Sequence, residues 1–281
     1  MVLQGFNGLR VLTLESRRAL EISRLIETYG GKAISAPAMR EVPLAENAAA
    51  LNFTHELIAG AFDVVVFLTG AGARALLKVV EEEQRTESFL QSLRRVKVVA
   101  RGPKPFSVLR EWNVPVAATA PEPCTWRELV TCLEELPGGM QGQRVVVQEY
   151  GVANTELLAA LKERGASVQS FAVYRWALPL DTEPLREAIH ALIERQVDVA
   201  LFTTGAQATH LFQIAESMGQ AEELRAALGG IMVASIGPST SETLEGLGIQ
   251  VDLEPSHPKM GMLVKEAAEH SGELTREKRV S

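Results

Sequence analysis

A chain of 281 residues is long enough for two domains of ordinary size, each with its own core. Its composition, 46% hydrophobic and 22% charged, is globular; the net charge of −7 and the lack of a concentrated basic stretch exclude a nucleic-acid partner. No apolar run reaches transmembrane length and residues 1–6 lack a signal-peptide pattern, so a cytoplasmic protein without membrane contact is expected.

Apolar strand-like runs alternate with helical patterns along the chain. Residues 9–14 predict a strand, 17–29 a helix closed by Gly30-Gly31, and 33–42 a longer extended segment bounded by proline. Strands at 64–68, 96–100, 114–118 and 145–147 alternate with helices over 71–83, 126–136 and 155–164. A second extended segment, 168–174, leads to helices over 183–196, 206–218, 239–247 and 260–270, with strands at 197–202, 231–236 and 249–253. Short, continuous apolar strands between helices predict α/β architecture, with parallel sheets covered on both faces. The polar, charged residues 271–281 are expected to be disordered.

The chain repeats itself. Asp63-Val-Val-Val-Phe67-Leu-Thr69-Gly70-Ala71 recurs as Asp198-Val-Ala-Leu-Phe202-Thr-Thr204-Gly205-Ala206, and the register runs on without a gap to Gly102-Pro103 and Gly237-Pro238. A fainter pairing sets Arg10 to Gly31 against Arg144 to Gly165. Duplicated halves predict two Rossmann- or flavodoxin-like lobes with a cleft between them. The extended segments 35–43 and 170–179 hold equivalent places in the halves, as linkers crossing between lobes would.

Four turns follow predicted strands: Thr69-Gly70-Ala71, Gly102-Pro103-Lys104, Thr203-Thr204-Gly205 and Gly237-Pro238-Ser239-Thr240. In open α/β sheets ligands bind at the carboxyl ends of strands, and helix N-termini with hydroxyls suit carboxylates or phosphates. Alternatively these residues merely cap helices. Residues 70–75 also satisfy the minimal G-x-G-x-x-A dinucleotide pattern, with Arg101 as a possible 2′-phosphate ligand, although the copy Gly205-Ala-Gln207 lacks the second glycine. Arg17-Arg18 open the first helix, where they either bind an anion or point outward. Tyr174 and Trp176 either pack or act. Cys124 and Cys132 lie two turns apart on one expected helix, too far for a disulfide, and the five histidines are scattered, so neither redox chemistry nor a metal is expected.

Taken in order, these segments resemble the uroporphyrinogen-III synthase family from residue 9 to about 270. The match is carried by the opening strand and helix with Gly30-Gly31, Val66-Phe-Leu-Thr-Gly-Ala-Gly-Ala-Arg-Ala-Leu, Gly151-Val-Ala-Asn-Thr-Glu-Leu-Leu, Val173-Tyr174, Leu201-Phe-Thr-Thr-Gly and Ala234-Ser-Ile-Gly-Pro-Ser-Thr. The resemblance implies one lobe from 1–37 with 176–281 and another from 38–175. It implies a hydro-lyase that cyclises hydroxymethylbilane to uroporphyrinogen III through a spiro intermediate, inverting ring D, with no cofactor or metal. It also implies a monomer that meets the upstream deaminase transiently. Tyr174 matches a tyrosine facing the family's cleft, where it would assist hydroxyl departure, and Ser239 and Thr240 match a hydroxyl pair. The eight substrate carboxylates would meet Thr69, Gly70, Ala71, Gly102, Gly151, Thr203, Thr204, Gly205, Gly237, Pro238, Ser239 and Thr240, helped by Arg17, Arg74, Arg101 and Lys104. The chain departs from the family pattern in Leu14-Glu15-Ser16 after the first strand, in Gly70 and Gly205 where serine is usual, and in Glu149-Tyr150-Gly151. These departures suit a diverged branch. Two other functions remain open, a non-catalytic tetrapyrrole-binding or regulatory paralogue and an NADP-dependent oxidoreductase.

Overall fold

The computed structural model describes residues 5–43, 48–149, 151 and 154–280. They form two compact units, one from the described residues of Met1–Arg40 and Ala177–Ser281, the other from those of Glu41–Trp176. The first unit's sheet runs β11 (Met232–Ser235), β10 (Val199–Phe202), β1 (Arg10–Thr13), β2 (Lys32–Ser35), with all neighbours parallel. The second unit's sheet runs β6 (Ala118–Thr119), β5 (Lys97–Ala100), β4 (Val64–Phe67), β7 (Arg144–Gln148), β8 (Ser167–Phe171), again parallel throughout.

The central strands are apolar because both their faces are covered. Along β10, Ala200 and Phe202 join one core with residues of α8 (Glu183–Ile193), α9 (Gly205–Met218), α10 (Ala221–Gly229) and α11 (Pro238–Gly246). Val199 and Leu201 face the other way, toward α1 (Ala19–Thr28) and α12 (Met260–Val280). Strand β4 alternates in the same fashion. Val65 and Phe67 pack with α2 (Ala48–Ile58), α3 (Gly70–Glu82), α4 (Thr86–Leu93) and α5 (Pro103–Glu111), and Val64 and Val66 with α6 (Trp126–Glu134) and α7 (Thr155–Glu163).

One side-chain lock appears in both units. Arg10 donates from its backbone N–H and from Nε to Asp198 Oδ2, at 2.8 and 3.0 Å. Arg144 makes the same two bonds to Asp63 Oδ2, at 2.9 and 3.0 Å. These locks align β1 with β7 and β10 with β4, so β2 matches β8 and β11 matches β5. Each sheet winds outward in opposite directions from its two central strands. The resulting switch points, between β1 and β10 and between β4 and β7, are where such sheets bind ligands.

Several expectations are corrected. The extended run 33–42 divides into β2 and β3 (Arg40–Pro43) around Pro37, whose missing N–H cannot continue the ladder. Likewise 168–174 divides into β8 and β9 (Tyr174–Ala177), and β3 pairs with β9 in a separate two-stranded sheet. Residues 249–253 contribute one isolated bridge, Ala234 to Leu253, instead of a strand. Cys124 precedes α6, whose N-cap is Thr125, so the two free cysteines do not share a helix. Helix α12 continues through residues expected to be disordered because that stretch is tied down. Ser271 and Thr275 are buried, Leu274 packs on the core, and Lys278 Nζ lies 3.0 Å from Asp252 Oδ1. Among the described residues, no helix is long and apolar enough to cross a membrane.

Candidate functional site

At the switch point of the second unit, β4 is followed by Leu68-Thr69, and β7 ends at Gln148 with Glu149 next. Thr69 caps α3: its Oγ1 accepts the Gly72 N–H at 3.0 Å and lies 3.2 Å from the Tyr174 hydroxyl. The Thr69 N–H donates to Gln148 Oε1 at 3.4 Å, and Gln148 Nε2 donates to the Glu149 carbonyl. Tyr174, on β9, is 2% exposed and meets Trp176 edge-on at 5.4 Å between ring centroids. Gly151 is required beside this aromatic pair. Its φ is +90°, and a Cβ there would lie 2.9 Å from Trp176 Cδ1. The result is a phenol hydrogen-bonded to a hydroxyl at a helix N-terminus, a local electropositive setting from which a proton or hydrogen bond can be donated.

The glycines of the dinucleotide pattern do other work. A Cβ on Gly70 would lie 2.8 Å from the Lys104 carbonyl oxygen, so glycine lets α3 approach α5. A Cβ on Gly72 would overlap the side-chain amide of Gln148. The space a pyrophosphate would need is filled by the protein's own amide, which argues against the oxidoreductase reading. Gly205 repeats the helix approach in the first unit, where a Cβ would overlap Thr243 Oγ1 on α11.

In the first unit the turn after β10 is already engaged. The Thr203 hydroxyl donates to Glu15 Oε2 at 2.5 Å instead of standing open to a ligand, and Gln207 Nε2 donates to Thr203 Oγ1 at 2.8 Å. Thr204 is the N-cap of α9 and makes no side-chain cap bond. Gly237 is the N-cap of α11, which starts at Pro238; Ser239 is exposed and Thr240 is buried. The hydroxyls wired together in that turn are Ser235 and Ser241, 2.5 Å apart, with Ser241 also donating to Glu254.

The expected cations are dispersed. Arg74 is held by both carboxylate oxygens of Glu111, at 2.9 and 2.8 Å. Lys104 is exposed on α5, behind the N-cap Gly102, while Arg101 is half-buried and Arg17 exposed. The structure therefore brings Thr69, Gly70, Ala71 and Tyr174 together, with Lys104 reached through its carbonyl contact to Gly70. Among the described residues no group of histidine, cysteine and acidic side chains could hold a metal.

Sequence reasoning passed over Gln148 and noted Glu149 only as a departure from the family pattern. Glu149 is 3% exposed. Its Oε2 accepts the Asn154 N–H at 3.3 Å, whereas Oε1 has no hydrogen-bond partner among the described residues. Burial pushes its carboxyl up to about 7, against the opposing pull of the Asn154 N–H and the Ser170 hydroxyl. The available signal was the duplication itself, since the register of Arg10 on Arg144 sets Glu15 on Glu149. Tyr150 lies outside the described residues.

Comparison with known proteins points one way. The family model for uroporphyrinogen-III synthase HemD matches residues 21–265. The chain is 32% identical over 271 residues to the uncharacterized protein YjjA of Bacillus subtilis (strain 168), covering 95% of this chain and 97% of that one. It is 31% identical over 239 residues to a putative uroporphyrinogen-III synthase of Methanothermobacter thermautotrophicus, covering 85% and 89%. Among solved structures, a mutant uroporphyrinogen III synthase of the extremely thermophilic bacterium Thermus thermophilus superposes with TM-score 0.70 at 24% identity, covering 92% and 97%. A wild-type crystal form of the Thermus thermophilus synthase gives TM-score 0.57 at 26% identity, covering 98% and 100%.

Proposed function

The chain belongs to the uroporphyrinogen-III synthase family, and we propose that it closes hydroxymethylbilane to uroporphyrinogen III with inversion of the terminal ring. The observation that carries this reading is the 3.2 Å pair of Tyr174 and Thr69 at the switch point of the second unit. In this reaction the terminal hydroxymethyl C–O bond breaks and the oxygen leaves as water, giving an azafulvene. The substituted carbon of the last pyrrole attacks it to form a spiro intermediate, which fragments and recloses. The Tyr174 phenol donates to the departing oxygen, with Thr69 at the α3 N-terminus keeping the phenol polarised. Because the bilane also closes unaided to the uninverted isomer, most of the enzyme's task is orientation. Within the second unit, the N-terminus of α3 offers backbone N–H groups to a substrate carboxylate.

Tyr174→Phe keeps the ring against Trp176 and removes only the hydroxyl. Its kcat for isomer III should fall by about two orders of magnitude, while loss of the hydrogen bond to Thr69 costs only about 1 kcal/mol of stability. A wild-type kcat removes Tyr174 from the mechanism. A second reading, a tetrapyrrole-binding paralogue without ring inversion, draws on Glu15, which takes the Thr203 hydroxyl that a substrate carboxylate would otherwise receive.

A further inference from the structure

The two units carry an acidic residue at the same place in their switch points and treat it differently. The aligned locks of Arg10 and Arg144 make Glu15 the counterpart of Glu149. In each, one carboxylate oxygen accepts a backbone N–H from the loop before the next helix. Arg18 N–H donates to Glu15 Oε1 at 3.2 Å and Asn154 N–H to Glu149 Oε2 at 3.3 Å. The second oxygen of Glu15 is satisfied internally, by the Thr203 hydroxyl at 2.5 Å and Gln207 Nε2 at 3.5 Å.

The second unit lacks both of these donors, and the Ser170 hydroxyl that acts on the Glu149 carboxyl leaves Oε1 without a hydrogen bond. The register that sets Phe67 on Phe202 puts Leu68 in place of Thr203 and Gly72 in place of Gln207. Gln148 fills the room Gly72 leaves, but its Nε2 goes to the Glu149 carbonyl and its Oε1 to the Thr69 N–H. Glu149 Oε1 is thus an acceptor in a nearly fully buried residue, without a partner among the described residues. Buried acceptors are almost always paired, and the site's twin shows what pairing looks like here. We propose that Glu149 is a ligand-contacting carboxyl of the second unit, whose free Oε1 takes a hydrogen-bond donor of the bound molecule. On the synthase reading, on which the identity of the ligand rests, that donor is a pyrrole N–H. A donor on Oε1 also offsets the burial that disfavours the charged carboxylate.

Two substitutions test this in opposite ways. In Glu149→Gln the Asn154 N–H requires the amide oxygen, which turns the amide NH₂ toward the position of Oε1 and replaces an acceptor by a donor. Leu68→Thr leaves Glu149 in place and supplies the internal hydroxyl that Thr203 gives Glu15. Uroporphyrinogen III, kept reduced under nitrogen at pH 8, where the Glu149 carboxyl is ionised and Oε1 accepts, is the probe, and quenching of tryptophan fluorescence gives its Kd. Each variant should bind roughly tenfold more weakly than wild type. Glu149→Gln should melt at or above the wild-type temperature at pH 8, whereas a carboxylate with a purely structural role would lower it. Wild-type Kd values in both folded variants overturn the proposal and leave the synthase reading intact. Absence of wild-type binding overturns the synthase reading and this ligand assignment together.

Discussion

Glu149 illustrates how little a single acidic letter reveals. Within the sequence it reads as a departure from a family pattern, and only the fold shows it buried with one oxygen unsatisfied. Thr69 and Gly70 stood out through turn chemistry and the family motif, and Tyr174 through the resemblance alone. Gln148 did not, because its role depends on the vacancy beside Gly72, a contact across 76 residues. Thr203 was expected to meet a ligand, but its hydroxyl goes to Glu15, 188 residues away and invisible to local pattern. The Glu149 carboxyl, raised from 4.5 to about 7, makes a prediction of its own. The folded chain holds this proton up to about pH 7 while the unfolded chain releases it near 4.5, so folding takes up a proton between those values and stability falls as pH rises through them. Glu149→Gln removes that dependence. The stability difference between variant and wild type, from urea melts, should grow in the variant's favour from pH 5 to pH 8 by about 2.5 kcal/mol. A difference that does not change with pH would contradict the buried, uncompensated carboxyl.

At the level of elements, hydrophobic periodicity exposed the long helices and the central strands, whose coverage on both faces makes them continuous apolar runs. Helices α2, α4, α5 and α10 escaped it. Helix α10 buries only Leu224 and Leu228, and α4 only Phe89, Ser92 and Leu93. Helix α5 starts Pro-Lys-Pro, which reads as a turn, although proline in the first helical turn forfeits no bond. The substitution of glycine for the family's usual serine after Thr69 and Thr204 has a packing cause: α3 presses on α5 at Gly70 and α9 on α11 at Gly205. The two contacts differ in kind, because Gly70 faces backbone and Gly205 faces a side chain. Gly70→Ala should therefore cost about 1–3 kcal/mol with no simple rescue. Gly205→Ala should be similarly destabilised and recover only part of its loss when combined with Thr243→Ala, which removes Oγ1 but leaves a Cβ 2.8 Å away. Denaturant melts of the three variants check this, and a Gly70→Ala protein as stable as wild type would contradict the close approach of α3 and α5.

At the scale of the molecule, the duplication was the most legible feature and the most useful one. The sequence repeat of Asp63 in Asp198, and of Arg10 in Arg144, becomes a repeated lock between central strands, and it sets the two switch points in register. What the repeat could not disclose is where the halves diverge in use. The first unit closes its acidic switch-point residue on itself, and the second buries the corresponding residue with one oxygen unpartnered among the described residues. The far end of α12 escaped notice for a related reason. Its polar letters suggest solvent, yet Ser271 and Thr275 bond back along the helix and Lys278 reaches Asp252. All of this bears on one reaction. Hydroxymethylbilane is generated by its deaminase in the presence and absence of this protein, the products are oxidised, and the uroporphyrin isomers are separated by chromatography. Isomer III should predominate with the protein and isomer I without it. Isomer I alone in the presence of folded protein would contradict the synthase activity and leave a tetrapyrrole-binding relative in its place.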